Sequence, residues 1–195
     1  MTEQRDELKA PTSAQLREEL AREEHKALYH RNLSSTVIIL LAAAAAAVLL
    51  TTLFLPVLQV TGTSMEPALD TGQIVAAAKN SSFSTGDIVA FYYNNKILLK
   101  RVIGQAGDVI NIDDDGNVSV NGTELYEPYV QDRSLGHSDI TYPYQVPDGK
   151  IFVLGDNRSV SIDSRSSTVG CIAKENIVGK VIFRVWPLKE MGTIS

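Results

Sequence analysis

The sequence predicts a mainly β protein, with one N-terminal transmembrane helix followed by an antiparallel β-domain that carries a smaller subsidiary β-region. Three observations lead to this fold class. One long stretch, between Arg31 and Glu66, contains no charged residue. Beyond it, short runs rich in β-branched and aromatic residues alternate with turn residues. Long amphipathic helical patterns do not occur in that part of the sequence, which favours sheets over helix bundles.

The transmembrane helix is predicted over residues 36–58. About 22 residues at 1.5 Å each give roughly 33 Å, which is enough to cross the hydrocarbon layer. A buried helix of a soluble protein should show a polar face, and none is visible here. A cleaved signal peptide is the other alternative, but its apolar region would run only about 7 to 15 residues. Pro56 favours an end or a kink of the helix near that position.

The charges around this stretch predict its orientation. Three basic residues precede it, namely Arg22, Lys26 and Arg31. No Lys or Arg follows until Lys79. The positive-inside rule therefore predicts a single-pass protein of the cell membrane, with residues 1–35 in the cytoplasm and residues 59–195 outside. The tail 1–35 is polar with mixed charge, which is typical of a solvated helix or a disordered segment.

The β-domain begins after this stretch. Its strands are predicted over residues 73–78, 87–93, 97–103, 151–155 and 177–187. Hairpin turns are predicted at Asn94-Asn95, Asp115-Gly116 and Asn121-Gly122. Residues 127–147 are rich in Tyr, Pro and polar residues and are predicted to be an irregular excursion or a small sheet. The subsidiary β-region is therefore predicted to span about 108–150.

Composition excludes several classes of site and partner. The chain of 195 residues has a net charge of −5 and no basic block beyond the N-terminal segment, so we expect no nucleic-acid partner. The single cysteine, Cys171, and three histidines are too few for a Cys/His zinc site. An acidic hairpin turn explains the run from Asp113 to Gly116 better than a carboxylate metal site. We therefore expect no metal and no cofactor.

Ser64 is the candidate nucleophile, because it lies in a short turn between Gly62 and Pro67 directly after the apolar stretch. A serine nucleophile needs a base that is neutral at working pH. His137 is the one histidine beyond the stretch, and no motif places an acid partner for it. Lys100 is the other candidate, since strand alternation places it between two aliphatic residues, Leu98 and Val102, on one face. Burial there would lower its pKa, but a solvated lysine on an edge strand remains the alternative.

A third run, residues 155–165, follows the strand 151–155 and is rich in short polar side chains. Such a run suits a structured turn, so a structural loop and a site are both consistent with it. The three pieces together resemble the conserved boxes of bacterial type I signal peptidases, and of their Gram-positive members in particular. The matching residues are Ser64-Met65-Glu66-Pro67, Lys100-Arg101-Val102-Ile103-Gly104 with Gly107-Asp108, and Gly155-Asp156-Asn157-Arg158 with Ser161, Asp163 and Arg165.

The resemblance implies a membrane-bound serine endopeptidase with a Ser-Lys dyad, which removes signal peptides from secretory preproteins after small residues at −3 and −1. It implies that Ser64 is the nucleophile, with its backbone N–H in the oxyanion hole, that Lys100 is the general base, and that Ser161 orients the lysine. An ion pair between Asp156 and Arg101 is also expected. The residues implied to support the motifs are Gly62, Met65, Pro67, Arg101, Asp156, Asn157, Arg158, Asp163 and Arg165.

Two positions depart from the pattern of the family. Gly62 stands where some members carry a serine hydroxyl for the oxyanion hole, and Ala68 replaces the usual threonine. The apolar span argues against soluble self-cleaving repressors, and Lys100 argues against eukaryotic and archaeal signal peptidases, which use histidine. An inactive membrane-anchored β-domain that acts as a secretion or pilus assembly factor is the remaining alternative. Preproteins and the lipid bilayer are the expected partners, and no particular oligomeric state is predicted.

Overall fold

A computed structural model describes residues 12–194. The chain divides into two compact units, Met1–Leu50 and Thr51–Ser195. The predicted tail falls partly outside the described residues, since residues 1–11 are not among them. From residue 13 onward the tail is helical, in agreement with the solvated-helix interpretation.

The N-terminal helix, α1, runs from Ser13 to Phe54. Its segment Asn32–Phe54 is 23 residues long with a mean hydropathy of 2.7, long and apolar enough to cross a membrane. The predicted end at residue 58 is wrong, because α1 ends four residues earlier and Val57 begins a strand. Pro56 lacks an N–H and disfavours a helical conformation at the residue before it, while its carbonyl accepts a hydrogen bond from the Ala77 N–H at 3.0 Å.

The strands that follow α1 in the described residues all pair antiparallel, which confirms the predicted fold class. The strands are β1 Val57–Gln59, β2 Ile74–Ala78, β3 Ile88–Tyr93, β4 Lys96–Gly104, β5 Val109–Ile112, β6 Val118–Val120, β7 Thr123–Glu124, β8 Tyr144–Gln145, β9 Lys150–Leu154, β10 Ile172–Ala173, β11 Ile177–Trp186 and β12 Gly192–Thr193. Two short 3₁₀ helices, Lys174–Asn176 and Leu188–Glu190, flank β11.

Within the described residues these strands form two sheets. The larger has the order β1-β2-β11-β3-β4-β9-β10, with β12 paired to β11. The smaller has the order β7-β6-β5-β8 and lies within the segment 108–150 that the sequence assigns to the subsidiary region. Strand β8 is the one piece of sheet in the excursion 127–147.

The three predicted turns each join neighbouring strands. Asn94 and Asn95 have positive φ of 44° and 61° and connect β3 to β4, a conformation that Asn tolerates better than most residues. In the turn between β5 and β6, the Asp113 carboxylate accepts hydrogen bonds from the backbone N–H groups of Asp115 and Asn117. This acidic run therefore has a structural role in its turn, in line with the preferred interpretation.

The pairing of β4 leaves part of one strand edge open. Strand β4 pairs with β3 along residues 96–101 but with β9 only from Arg101 to Gly104. Its first half therefore has a strand on one side only. Strand β1, at the end of the larger sheet, pairs only with β2. Strands β1 and β4 thus each have an open edge, and residues of both line one cleft.

Candidate active site

Ser64 is held in a compact turn after β1. The Glu66 N–H donates to the Thr63 carbonyl at 3.2 Å, and the Leu69 N–H donates to the Met65 carbonyl at 2.8 Å. Met65 and Leu69 are both buried in a cluster with residues of β2 and β11. The turn is therefore anchored by apolar side chains that follow the serine, while Ser64 itself stays partly accessible.

Lys100 lies in β4 with its side chain at Ser64. The distance from Lys100 Nζ to Ser64 Oγ is 2.6 Å, and Lys100 is only 3% exposed. Leu98 and Val102, its neighbours on the strand face, pack in a hydrophobic cluster. Lys100 lies where β4 has an open edge, but the side chain is buried, so the alternative of a solvated lysine is wrong.

Burial changes the proton affinity of this lysine. Removal of the amine from water lowers the pKa of Lys100 from 10.5 to about 8, with opposing contributions from Asp163, which raises it, and Arg165, which lowers it. At pH 7 about a tenth of such lysines are neutral, compared with less than about one in a thousand at the ordinary pKa. The neutral amine can accept the proton of the Ser64 hydroxyl.

A cleft of about 60 Å³ borders this pair. One wall is formed by the end of β1 and the residues after it, and the other by the open edge of β4. The lining residues are Gln59, Val60, Thr61, Gly62, Ser64, Met65, Ile97, Leu98, Leu99 and Lys100. The cleft thus lies between two strand edges, an arrangement that suits an extended peptide bound by its main chain.

The loop 155–165 lies beside the nucleophile. The Asn157 N–H donates to the Ser64 carbonyl at 3.1 Å. A Cβ added to Gly155 would lie 2.5 Å from the same carbonyl oxygen and would collide with Ser161 Oγ. Only glycine allows this close approach between the loop and the Ser64 turn.

Ion pairs brace this loop, as the sequence predicts. Arg101 makes two hydrogen bonds to Asp156, at 2.9 and 2.7 Å, and the expected pair is confirmed. Arg165 pairs with Asp163 at 2.9 Å, and both are fully buried. Asp163 also accepts the Gly155 N–H at 2.9 Å. Buried charges that are paired and hydrogen-bonded in this way hold a loop in one conformation.

Three other residues of the predicted set lie as follows. Gly62 has a φ of +84°, and its carbonyl accepts the Thr71 hydroxyl at 2.9 Å. Pro67 is exposed and follows a cis peptide bond. Ser161 is fully buried, but its Oγ has no hydrogen-bond partner among residues 12–194, so the structure contains no hydrogen bond from Ser161 to Lys100.

Sequence reasoning missed one element of the site. Glu127 is 4% exposed and pairs with Arg158, whose position in the loop was predicted but whose partner was not. The Tyr129 ring lies 3.8 Å from the Arg101 guanidinium carbon. Both residues come from the excursion 127–147, where an aperiodic sequence offers no pattern that could place them.

Among the residues that line the Ser64 cleft, Lys100 is the one with a basic side chain. His137 is exposed and borders a separate cavity of about 390 Å³ that shares no lining residue with the Ser64 cleft. Among residues 12–194 there is no group of three or more His, Cys, Asp or Glu side chains that could hold a metal ion. A buried amine in contact with a serine hydroxyl can support acyl transfer.

Comparison with known proteins agrees with this chemistry. Residues 33–186 match the family model described as signal peptidase, peptidase S26. The chain belongs to this family. It is 40% identical over 152 residues to signal peptidase IB of Staphylococcus aureus (strain Mu50), in an alignment covering 67% of this chain and 78% of the relative. It is 36% identical over 152 residues to signal peptidase I of Bacillus licheniformis, covering 71% and 80%.

A crystal structure of a signal peptidase I from Enterococcus faecalis V583 is also similar. It shares 32% sequence identity, with a TM-score of 0.43, and the match covers 51% of this chain and 97% of that one.

The family match begins within α1 and ends at Trp186, so it includes the apolar helix and all three motifs. The predicted family is therefore confirmed.

Proposed function

We propose that this signal peptidase family member is a serine endopeptidase that removes N-terminal signal peptides from secreted preproteins, with Ser64 as nucleophile and Lys100 as general base. One observation carries the assignment of residues: the 2.6 Å contact between Lys100 Nζ and Ser64 Oγ, made by a lysine whose pKa burial lowers to about 8. An inactive assembly factor would have no use for a buried amine held against a serine, and this alternative is not favoured.

The reaction follows from the contact. Neutral Lys100 takes the proton of the Ser64 hydroxyl as Oγ attacks the scissile carbonyl, and the carbonyl oxygen becomes an oxyanion. The Ser64 N–H has no acceptor among the described residues and is free to donate to that oxyanion. Lys100 then gives its proton to the leaving amine as the peptide bond breaks. In the second half, neutral Lys100 takes a proton from the water that attacks the acyl-enzyme and passes it to Ser64 Oγ as the signal peptide is released.

The substrate is an extended segment of the preprotein. Its main chain would pair with the open edges at residues 59–62 and 97–100, as a strand added between β1 and β4. A cleft of about 60 Å³ leaves little room for side chains, which supports small residues at −3 and −1. Gly62 contributes no hydroxyl there, so a second oxyanion donor has to come from another group.

We assign the remaining motif residues to support of the dyad. Met65 anchors the nucleophile turn, and Asn157 holds the Ser64 carbonyl. The orienting role of Ser161 stays a prediction, because its Oγ is buried beside Gly155 without a hydrogen-bond partner in the described chain. A buried, unused hydroxyl next to the site is consistent with a bond that forms when Lys100 changes its protonation state.

We also propose the membrane arrangement. The apolar segment Asn32–Phe54 would be the single span, with the residues before it on the cytoplasmic side and the residues after it outside. The signal peptide of a preprotein is itself an apolar segment in the same bilayer. Ser64 follows the end of α1 by ten residues, which would keep the nucleophile close to the membrane surface where the scissile bond emerges.

Cleavage of a purified preprotein with an Ala-x-Ala site tests this proposal, with the full-length chain in detergent. Ser64→Ala and Lys100→Ala should each lower kcat by at least about 10⁴-fold. Lys96→Ala is the matched control, since Lys96 is an exposed lysine of the same strand and should keep the wild-type rate. Turnover by either alanine variant at the wild-type rate would refute the assignment, and an inactive wild type would favour the assembly factor.

A further inference from the structure

Two residues of the subsidiary region contact buried arginines beside the Ser64–Lys100 pair, although neither residue belongs to a sequence motif. Glu127 and Tyr129 follow strand β7 of the smaller sheet. Their neighbours in the chain, Glu124 and Tyr126, point to solvent, and Tyr126 is 84% exposed. The chain thus turns two side chains inward at alternate positions, and both of them contact an arginine of the site.

Tyr129 covers Arg101. The Arg101 guanidinium donates in its own plane to Asp156 and, at 2.6 Å, to the Gly86 carbonyl. The Tyr129 ring lies on its face, 3.8 Å from the guanidinium carbon. Because Arg101 is 2% exposed, this cation–π contact is formed away from water, where such contacts are strongest. The hydrogen bonds and the ring contact together restrict the movement of the guanidinium.

Glu127 holds Arg158. Both carboxylate oxygens accept hydrogen bonds from this arginine, at 3.1 and 2.5 Å, and the two side chains are each 1% exposed. The Tyr129 hydroxyl donates to Glu127 at 3.2 Å, which joins the two contacts into one unit. Burial beside Glu127 raises the pKa of Tyr129, so its hydroxyl stays protonated and remains a donor.

Each of the two arginines, Arg101 and Arg158, is linked through the backbone to one member of the Ser64–Lys100 pair. Arg101 is the chain neighbour of Lys100 in β4, so a tilt of the backbone at Arg101 moves Lys100 Nζ. Arg158 donates to the Gly155 carbonyl at 3.1 Å. The intervening residue Asn157 holds the Ser64 carbonyl. The unit of Glu127 and Tyr129 therefore braces both members of the Ser64–Lys100 pair through their backbones.

We infer that Tyr129 and Glu127 are positioning residues for the Ser64–Lys100 pair, so that the subsidiary region sets the geometry of the reaction without touching the substrate. This inference rests on the proposed function. Neither residue lines the cleft between β1 and β4, so substrate binding should not depend on them. A displacement of a reacting group by about 1 Å costs on the order of 100-fold in rate, so even partial loosening is measurable.

Steady-state kinetics of the full-length chain with an Ala-x-Ala preprotein test the inference. Tyr129→Leu removes the ring face and should lower kcat about tenfold, with KM within about twofold of wild type. Tyr129→Phe keeps the ring and should retain kcat within about twofold. Tyr126→Leu, the exposed control, should be unchanged. The inference is overturned if Tyr129→Leu has the wild-type kcat, or if the Leu and Phe variants lose kcat equally. A raised KM with unchanged kcat in Tyr129→Leu would also overturn it.

A second pair of variants tests the inference if Tyr129→Leu does not fold. Glu127→Gln should lower kcat about tenfold at unchanged KM, whereas Glu124→Gln, at an exposed ion pair, should match wild type. Equal kcat in all three proteins overturns the inference. Ser64→Ala is included in the same assay. If it still cleaves, the proposed function fails; if it is inactive while Tyr129→Leu is normal, only the inference fails.

Discussion

Replacement of Lys100 by methionine should abolish cleavage and stabilise the fold. A buried lysine that stays charged in the folded state is held in an environment that disfavours the charge, which is why burial lowers the pKa of Lys100 to about 8. Methionine has a similar length and carries no charge. The buried Lys100 therefore lowers the stability of the fold at neutral pH, and the methionine variant should recover this stability.

The size of the effect follows from linkage. The gap between 10.5 and about 8 corresponds to about 3 kcal/mol, at roughly 1.4 kcal/mol per pH unit. Between these two values the unfolded chain binds more protons than the folded one, so the stability of the wild type rises with pH across this window. Below pH 8 the full penalty is present, and above about pH 10.5 it is absent. Between pH 6.5 and 9.5 the advantage of Lys100→Met should shrink by about 2 kcal/mol.

Urea unfolding, followed by tryptophan fluorescence, measures this difference in the free energy of unfolding. Trp186 is the single tryptophan of the chain and lies at the end of β11, within the unit Thr51–Ser195. The wild type and Lys100→Met are compared in the same detergent across pH, and their difference isolates Lys100 from the other titrating groups. Lys96→Met, at an exposed lysine, is the control. Equal unfolding free energies at pH 7, or parallel pH curves, would refute the reasoning.

Three further predictions address the site. The pH profile of kcat/KM should rise with a midpoint near 8, because only the neutral form of Lys100 accepts the Ser64 proton; a flat profile from pH 6 to 9 contradicts this. Ser161→Ala should change the unfolding free energy by less than about 1 kcal/mol, since no hydrogen bond is lost, yet lower kcat at least tenfold if Ser161 orients the lysine; wild-type kcat removes that role. Gly155→Ala should lower both the melting temperature and kcat, because its Cβ meets the Ser64 carbonyl, whereas Gly192→Ala meets nothing within 4 Å and should be neutral.

Local patterns were enough for the elements of the fold. The hairpin at Asn94-Asn95 joins the strands that the sequence predicts, because φ above zero is readily tolerated by Asn and the flanking runs are β-rich. The end of α1 was misplaced because apolar residues beyond Pro56 continue the hydropathy of the span. Their pairing with β2 depends on residues almost 20 positions later, which a local pattern does not contain.

For the site, the motif set placed Ser64, Lys100 and the Arg101–Asp156 pair, because each lies in a short run of distinctive residues. Glu127 and Tyr129 could not be found in this way. They lie more than 20 residues from either arginine that they contact, in a segment without periodicity, and only folding brings them together.

The sequence by itself determined the family, the apolar helix, the strand-rich domain and the candidates for the reacting side chains, since these depend on residue types and spacing along the chain. The tertiary structure alone decided three further properties: the 2.6 Å contact, the burial that lowers the pKa of Lys100, and the bracing of the Ser64 turn by a distant region. The physical reason is that distance, desolvation and ion pairing depend on groups far apart in the chain. Only the fold removes the Lys100 amine from water and places it beside the Ser64 hydroxyl.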